Sequence, residues 1–430
     1  MRVYSTTESL MTKTITLLTS GTIGDVTPYI ALGLGLRDAG YNVRIAAPVG
    51  FASLVESSGL PFAPFEGNPS DLMINQGDPL TIGSNFINSL RATRDFITKA
   101  RPLYACMLHT AADACRGSYI LIYGLATLWG IHIAEGLHIP AVCAVLQPLA
   151  PTRQFPSALL PFRYSSLGIG NWFTHWIVTQ GIWLSWRREI NGSRHADFNL
   201  PRAHWLDPSL RPFPHQPLTL NGFSEHIVPR PPDWNEKQII TGYWRSPAQQ
   251  WNPPDELINF IDRFSENTIA IGLGTPGTKD FTHIIKILEE ALDQSDAQVV
   301  FTVPTQWHAQ IKSKRIFPIE YAPHDWLYRY VRVAVHHGGA GTMSASLHAG
   351  IPTITLPLAI DQFFWGERLH KIGVGPKPIP QRALSAIKLA AAIQQALRDN
   401  EMREKAKRLS DALRLENGIQ AAVRVIRDVV

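Results

Sequence analysis

His336-His337-Gly338-Gly339-Ala340-Gly341-Thr342, followed by Asp361-Gln362, is the group of residues in this chain best suited to chemistry. The apolar run 331–335 before it reads as a buried parallel strand, and 343–349 carries a helical pattern, so the glycines fall in a strand-to-helix turn. Glycines there let the backbone approach a ligand closely, while unpaired N–H groups and the positive end of the helix favour phosphate. His336, the N–H groups of Gly339, Ala340, Gly341 and Thr342, and the Thr342 hydroxyl form a set of donors fitted to a diphosphate, and both histidines can donate to the same anion. Taken alone, such a turn serves packing in an α/β domain equally well. The next strand, 353–356, leads to Asp361-Gln362. Ligands in open α/β sheets lie outside the carboxyl ends of strands, so neighbouring strands bring His336 and Asp361 to one rim. A carboxylate beside an amide suits the hydroxyls of a sugar ring; Asp361 would equally cap a helix.

The elements that must position these groups alternate along the chain. Short apolar runs at 15–18, 43–46, 119–122 and 141–146 are separated by helical stretches, which predicts a parallel sheet wound on both faces. A second βα series opens at Thr268, where Ile269-Ala270-Ile271-Gly272-Leu273-Gly274-Thr275 is a strand ending in another glycine-rich turn. With 430 residues the chain fits two α/β domains. The hydrophobic fraction of 45% against 17% charged residues excludes a disordered chain. Three cysteines, Cys106, Cys115 and Cys143, lack metal-ligand spacing and make no disulfide framework, which points to the cytoplasm. The first ten residues lack the apolar core of a signal peptide, and Met11 stands as an alternative start. The apolar stretch 119–134 is interrupted too soon to span a bilayer and reads as a strand and a helix. The net charge of +5 is scattered, without a basic arm, and excludes a nucleic-acid partner while remaining compatible with an anionic lipid surface. Trp172, Trp176, Trp183 and Trp186 recur at helical intervals; such an aromatic stripe is core, or it lines a lipophilic cleft or touches a membrane.

The block from Tyr321-Ala322-Pro323-His324-Asp325-Trp326-Leu327 through HHGGAGT to DQFFWGERL resembles the donor signature of the GT-B glycosyltransferases that use UDP-sugars. The resemblance is nearest to the bacterial and fungal branch of sterol glucosyltransferases and antibiotic-tailoring enzymes. It extends over nearly the whole chain: TSGTIGDVTPYIALGLGLRDAGYNVRIAAP at 19–48 matches that branch's first strand, loop and helix, and Gln147 to Arg153 resembles its acceptor-side loop. The fold implied is α/β, two Rossmann-like doubly wound domains facing across a cleft. The acceptor-binding domain would occupy 11–240, a linker 241–254, the UDP-sugar-binding domain 255–415, and a C-terminal helix, 416–430, would return to the first domain. The function implied is inverting transfer of a hexose, glucose first, from a UDP-sugar to a hydroxyl of a lipophilic acceptor such as a sterol, terpenoid, polyketide or lipid.

The resemblance also distributes the roles. Tyr321, Ala322 and Trp326 would hold the uracil, Thr275 and His336 the diphosphate, and Asp361 and Gln362 the sugar, with Trp365 behind them. Trp172 and Trp176 would border the acceptor, whose identity would be set by loops at 66–100 and 150–200. Asp25, in Gly24-Asp25-Val26-Thr27-Pro28, would be the base; plant relatives carry histidine there, and the branch resembled here commonly carries arginine where this chain has Ile23. An ordinary aspartate is ionised at neutral pH, and a helix start holds it lower still, so Asp25 is expected to take its proton late, as the sugar C1–O bond breaks. Asp25 would equally cap the helix it opens. The chain contains no Asp-x-Asp sequence, so neither a metal nor a cofactor is expected and the UDP-sugar is a co-substrate. A cytoplasmic protein with a peripheral membrane contact follows. A UDP-sugar epimerase of the same architecture and a non-catalytic UDP-sugar-binding protein are the alternatives.

Overall fold

A computed structural model describes residues 13–68, 86–160, 168–210, 216–246, 251–264, 266–274, 281–358 and 360–429, with side chains in the helix from Phe86 described from residue 94. Thr275, Met11 and much of the 66–100 stretch therefore lie outside the described residues. Two parallel sheets organise the chain. The first has seven strands in the order β3-β2-β1-β4-β5-β6-β7 and the second five, β10-β9-β8-β11-β12. In the first lobe the strands are β1 (Thr14–Leu18), β2 (Asn42–Pro48), β3 (Phe62–Phe65), β4 (Ile120–Tyr123), β5 (Ala141–Val145), β6 (Leu218–Asn221) and β7 (Gln238–Ile240). Its helices are α1 (Ile23–Asp38), α2 (Ala52–Glu56), α3 (Phe86–Ala114), α4 (Gly130–Leu137) and α5 (Gly168–Phe198). In the second lobe, α6 (Asp255–Arg263), β8 (Thr268–Gly272), α7 (Thr282–Leu292), β9 (Gln298–Thr302) and β10 (Ile316–Ile319) precede α8 (His324–Leu327) and β11 (Val333–His336). Then come α9 (Ala340–Ala349), β12 (Thr353–Thr355), α10 (Gln362–Ile372), α11 (Ala386–Arg398), α12 (Asn400–Leu415) and α13 (Gly418–Arg427).

The central strands are apolar throughout because helices cover both faces. In β1, Ile15, Leu17 and Leu18 are fully buried; in β11, so are Val333, Ala334 and Val335. In each sheet the strand order reverses direction beside the first strand, between β1 and β4 and between β8 and β11. Loops at those carboxyl ends part to opposite faces and leave a crevice, and in this protein they carry Asp25 and the HHGG turn.

A break separates the last two helices of the chain. Glu416 is extended, and Asn417 restarts the chain as an N-cap, accepting the Gln420 N–H on Oδ1 at 3.1 Å. The break lets α12 stay packed on α9 while α13 turns back onto α1, where Ala422, Val423 and Ile426 join the first lobe's core. A second cluster is shared between the lobes: Phe155, Phe223 and Ile227 pack with Met343, Phe364 and Trp365. Arg368 adds a hydrogen bond from Nε to the Ile227 carbonyl at 2.9 Å.

Candidate functional site

Asp25 lies in the first turn of α1, where its Oδ2 accepts the Thr22 N–H at 2.7 Å and the Thr22 hydroxyl at 2.8 Å. The carboxylate thus caps its own helix, and both bonds fall on one oxygen, which leaves Oδ1 for a proton. Gly21 makes the wrap possible: it has φ +113, and a Cβ there would sit 2.5 Å from Asp25 Oδ2. Asn68 fixes the same turn from β3's side by donating to the Gly21 carbonyl at 3.0 Å. The expectation that the helix start holds Asp25 below the usual carboxylate range is reversed. Burial raises its pKa, and the two Thr22 bonds only partly offset the rise.

Asp361 comes from the opposite lobe, immediately before α10. Burial pushes its carboxyl up to about 7, opposed by the hydrogen bond from Trp365 and reinforced by the negative charge of Asp25. Asp361 is thus near enough to feel the Asp25 charge, and the lobes meet there: α9 contacts α1, and Ala340 packs against the first lobe's core. Asp361 Oδ2 accepts from Trp365 Nε1 at 3.0 Å, and the indole behind it is fully buried. Gln362 Oε1 accepts the Leu358 N–H at 2.8 Å and closes the loop on itself. Ile360, between them, sits at φ 52, a left-handed conformation costly for a β-branched residue and retained only under constraint.

The two histidines take opposite directions. His336, the last residue of β11, is fully buried: Nδ1 accepts the Gly338 N–H at 3.0 Å and Nε2 lies 3.4 Å from Ser346 Oγ. Burial, with His337 and His324 nearby, holds its pKa well below the usual imidazole value, so it is neutral. His336 therefore does not meet a diphosphate; it shapes the turn from beneath. His337, which the sequence offers beside His336 as a donor to the same anion, is half-buried at the turn itself. A Cβ on Gly339 would lie 2.5 Å from its Nε2, and one on Gly274 3.0 Å from its Cε1, so the ring is bracketed by the two glycine-rich turns. The N–H groups of Ala340, Gly341 and Thr342 precede the first bond of α9, Met343 N to Gly339 O at 2.9 Å, and are left for an outside acceptor. The turn also abuts the loop that carries Asp361 and Gln362, since a Cβ on Gly338 would come 3.2 Å from the Gln362 carbonyl.

Other expected positions divide. Tyr321 is exposed just beyond β10 and Ala322 is buried beside it, so an open ring and a backbone edge lie together at that rim. Trp326 turns elsewhere: it packs edge-on against Trp251 with centroids 4.9 Å apart and leans on Tyr330 at 4.6 Å, which makes it part of the second lobe's core. The tryptophan stripe of α5 is not uniform. Trp183 is buried and Trp186 stacks on Tyr104, while Trp172 is exposed and Trp176 half-exposed beside Phe173. Among the described residues no cluster of side chains suits a metal ion, and no helix is long and apolar enough to cross a membrane.

Comparison with known proteins places both lobes. Residues 15–156 match the glycosyltransferase family 28 N-terminal domain, and 286–418 match the C-terminal domain of erythromycin biosynthesis protein CIII-like proteins. The chain is 33% identical to a sterol 3-beta-glucosyltransferase of Glomerella lagenarium over 434 residues, covering 96% of the chain and 28% of that relative. A sterol 3-beta-glucosyltransferase of Candida albicans is also 33% identical, over 96% of the chain and 27% of its own length. The chain thus spans little more than a quarter of these relatives. Among solved structures, the kitacinnamycin glycosyltransferase superposes with a TM-score of 0.71 at 17% identity, covering 97% of this chain and 99% of that one. The calicheamicin glycosyltransferase CalG4 gives 0.67 at 14% identity over 97% and 98%.

Proposed function

Because the chain is a glycosyltransferase of the GT-B fold, we propose that it moves a hexose, glucose first, from a UDP-sugar to a hydroxyl of a lipophilic acceptor, with inversion and with Asp25 as base. The observation that carries this reading is the approach of the N-terminal end of α9 to α1, the helix of Asp25, with Asp361 of the second lobe near enough to feel the Asp25 charge. Three N–H groups, the Thr342 hydroxyl and His337 would hold the diphosphate, and they act where charge builds on the departing UDP. Asp361 and Gln362 would accept and orient the sugar hydroxyls. Tyr321 and the Ala322 backbone would meet the uracil. The acceptor oxygen attacks the anomeric carbon as the C1–O bond to phosphate breaks; the bonding pair leaves with UDP and the acceptor proton goes to Asp25 Oδ1. Burial makes Asp25 a stronger base than a surface aspartate, which favours that transfer. The whole arrangement works through fixed dipoles and side chains, and no step is assigned to a metal.

The fungal relatives, named as sterol 3-beta-glucosyltransferases, support a sterol or similar alcohol as acceptor and glucose as the sugar. A protein with this activity works in the cytoplasm, where UDP-sugars are made. The test is UDP release from a set of UDP-sugars against hydroxylated lipids. Release that requires both UDP-glucose and a sterol or related alcohol supports the reading. Release without any acceptor, or UDP binding without turnover on any hydroxylated lipid, refutes it.

A further inference from the structure

Helix α5 buries Trp183 and Ile190 but carries several other apolar residues outward. Ile169, Trp172, Phe173, Ile177 and Leu184 are exposed along it, whereas Asn171, His175, Thr179 and Gln180 are buried. Trp205 extends the exposed strip, its backbone carbonyl accepting from Trp183 Nε1 at 2.9 Å and its own ring largely open to solvent. An inverted pattern of this kind is stable in water only at a cost, and it marks a surface that meets something apolar.

The same helix turns cationic one turn further on. A groove of about 790 Å³ opens between α5 and the segment after it, lined by Leu184, Arg187, Arg188, His195 and Arg202 among others, with no carboxylate in its wall. The acids of this helix face the other way: Glu189 pairs with Arg101 at 2.7 Å, and Asp197 with His109 at 2.6 Å. Arg187 holds a buried Nε that has no hydrogen-bond partner. Apolar and aromatic side chains followed by unopposed arginines are the pattern of a helix lying in a lipid interface, its rings at the acyl boundary and its guanidinium groups at phosphates.

We propose that this face of α5 docks on the surface of an anionic lipid bilayer. The position of the helix gives the contact a use. Its first turns are tied to the segment beside the cleft, through Asn171 Nδ2 to the Arg153 carbonyl at 3.0 Å and Ser157 N to Thr174 Oγ1 at 2.8 Å. Phe155 in that segment packs against Phe364 of the opposite lobe, with centroids 5.3 Å apart. A docked α5 therefore sets the mouth of the cleft against the membrane.

The experiment is cosedimentation of the full chain with phosphatidylcholine vesicles, with and without phosphatidylglycerol, alongside a UDP-binding measurement that reports the other site independently. The chain is expected to bind the anionic vesicles and to bind phosphatidylcholine weakly. Phe173→Ser/Ile177→Ser/Leu184→Ser should lower partitioning on the order of tenfold or more. Arg188→Glu/Arg202→Glu should lower it roughly 30-fold, since each basic residue near such a surface contributes about 1 kcal/mol. All five positions are exposed, so the variants should fold and keep UDP affinity. Absence of vesicle binding, or binding that neither variant weakens, overturns the proposal. So does a concentration-dependent dimer that the triple variant abolishes while vesicles bind nothing, because a second copy would then cover the face.

Discussion

Asp25→Asn isolates the proton acceptor with little else disturbed. An asparagine in the same rotamer places Oδ1 where Asp25 Oδ2 now accepts the Thr22 N–H and hydroxyl, so the start of α1 is preserved. Its Nδ2 then occupies the remaining position and offers protons where the reaction must deliver one. General-base assistance contributes about 10²- to 10⁴-fold, or about 2.7–5.5 kcal/mol of barrier. Because burial raises the Asp25 pKa, the folded protein is relieved of a disfavoured charge near neutral pH, and the variant should be no less stable than the parent. Removing that charge also lets Asp361 ionise more readily, so sugar binding should not weaken. The assay pairs single-turnover transfer from UDP-glucose to a sterol with calorimetric UDP affinity, both across pH. Transfer should fall by about two to four decades with UDP affinity unchanged. The acid limb of the parent, which reflects loss of ionised Asp25 as pH falls through its raised pKa, should disappear. Transfer within tenfold of the parent at unchanged UDP affinity would place the base elsewhere.

His337→Ala should weaken UDP binding by about 10- to 150-fold if its ring donates to the diphosphate, without loss of thermal stability. His336→Ala should do the reverse, costing about 1–3 kcal/mol of stability by leaving the buried Gly338 N–H unsatisfied; UDP affinity falling as steeply as in the His337 variant would contradict this division. Asp361 has a folded pKa of about 7, above its unfolded value, so its contribution to stability is complete below the unfolded pKa and is lost as pH rises through about 7. The parent should therefore lose thermal stability over that window relative to Asp361→Asn, and parallel curves would show that Asp361 is not held protonated. Chelation with EDTA should leave transfer unchanged; loss restored by Mg²⁺ would show that the helix start and His337 do not carry the diphosphate charge alone.

Much of the fold was legible because its central strands are buried on both faces and so read as largely apolar runs, as in β1, β4 and β11. The strands that escaped notice lie at or near the edges. β3 contains Pro64 and β10 contains Pro318, a residue tolerated where no ladder partner needs its N–H, and β7 is only three residues long. The glycine-rich turn was equally legible, but its two histidines were given the same direction, and the structure separates them. Successive residues of a strand point to opposite faces, so His336 at the end of β11 goes into the core and His337 goes to the rim. Val335 and His336 close a strand whose residues are all buried, and His337 is the first position beyond it.

Asp25 shows where such reading stops. The local window contains Thr22, Gly21 and the start of a helix, and every one of these stabilises a carboxylate. What raises its pKa is burial by the protein that gathers round it in three dimensions. Local hydrogen bonds are set by sequence neighbours and can be read there, whereas desolvation is set by tertiary packing. An aspartate expected to be an ordinary weak base thus becomes a stronger one in the folded protein, whose lobes are held in contact by α13 and the shared apolar cluster. Variants that loosen that contact, such as Trp365→Ala, should therefore lower the Asp25 pKa toward its usual value and move the acid limb of transfer to lower pH; a limb that stays in place would mean that burial comes from the first lobe alone.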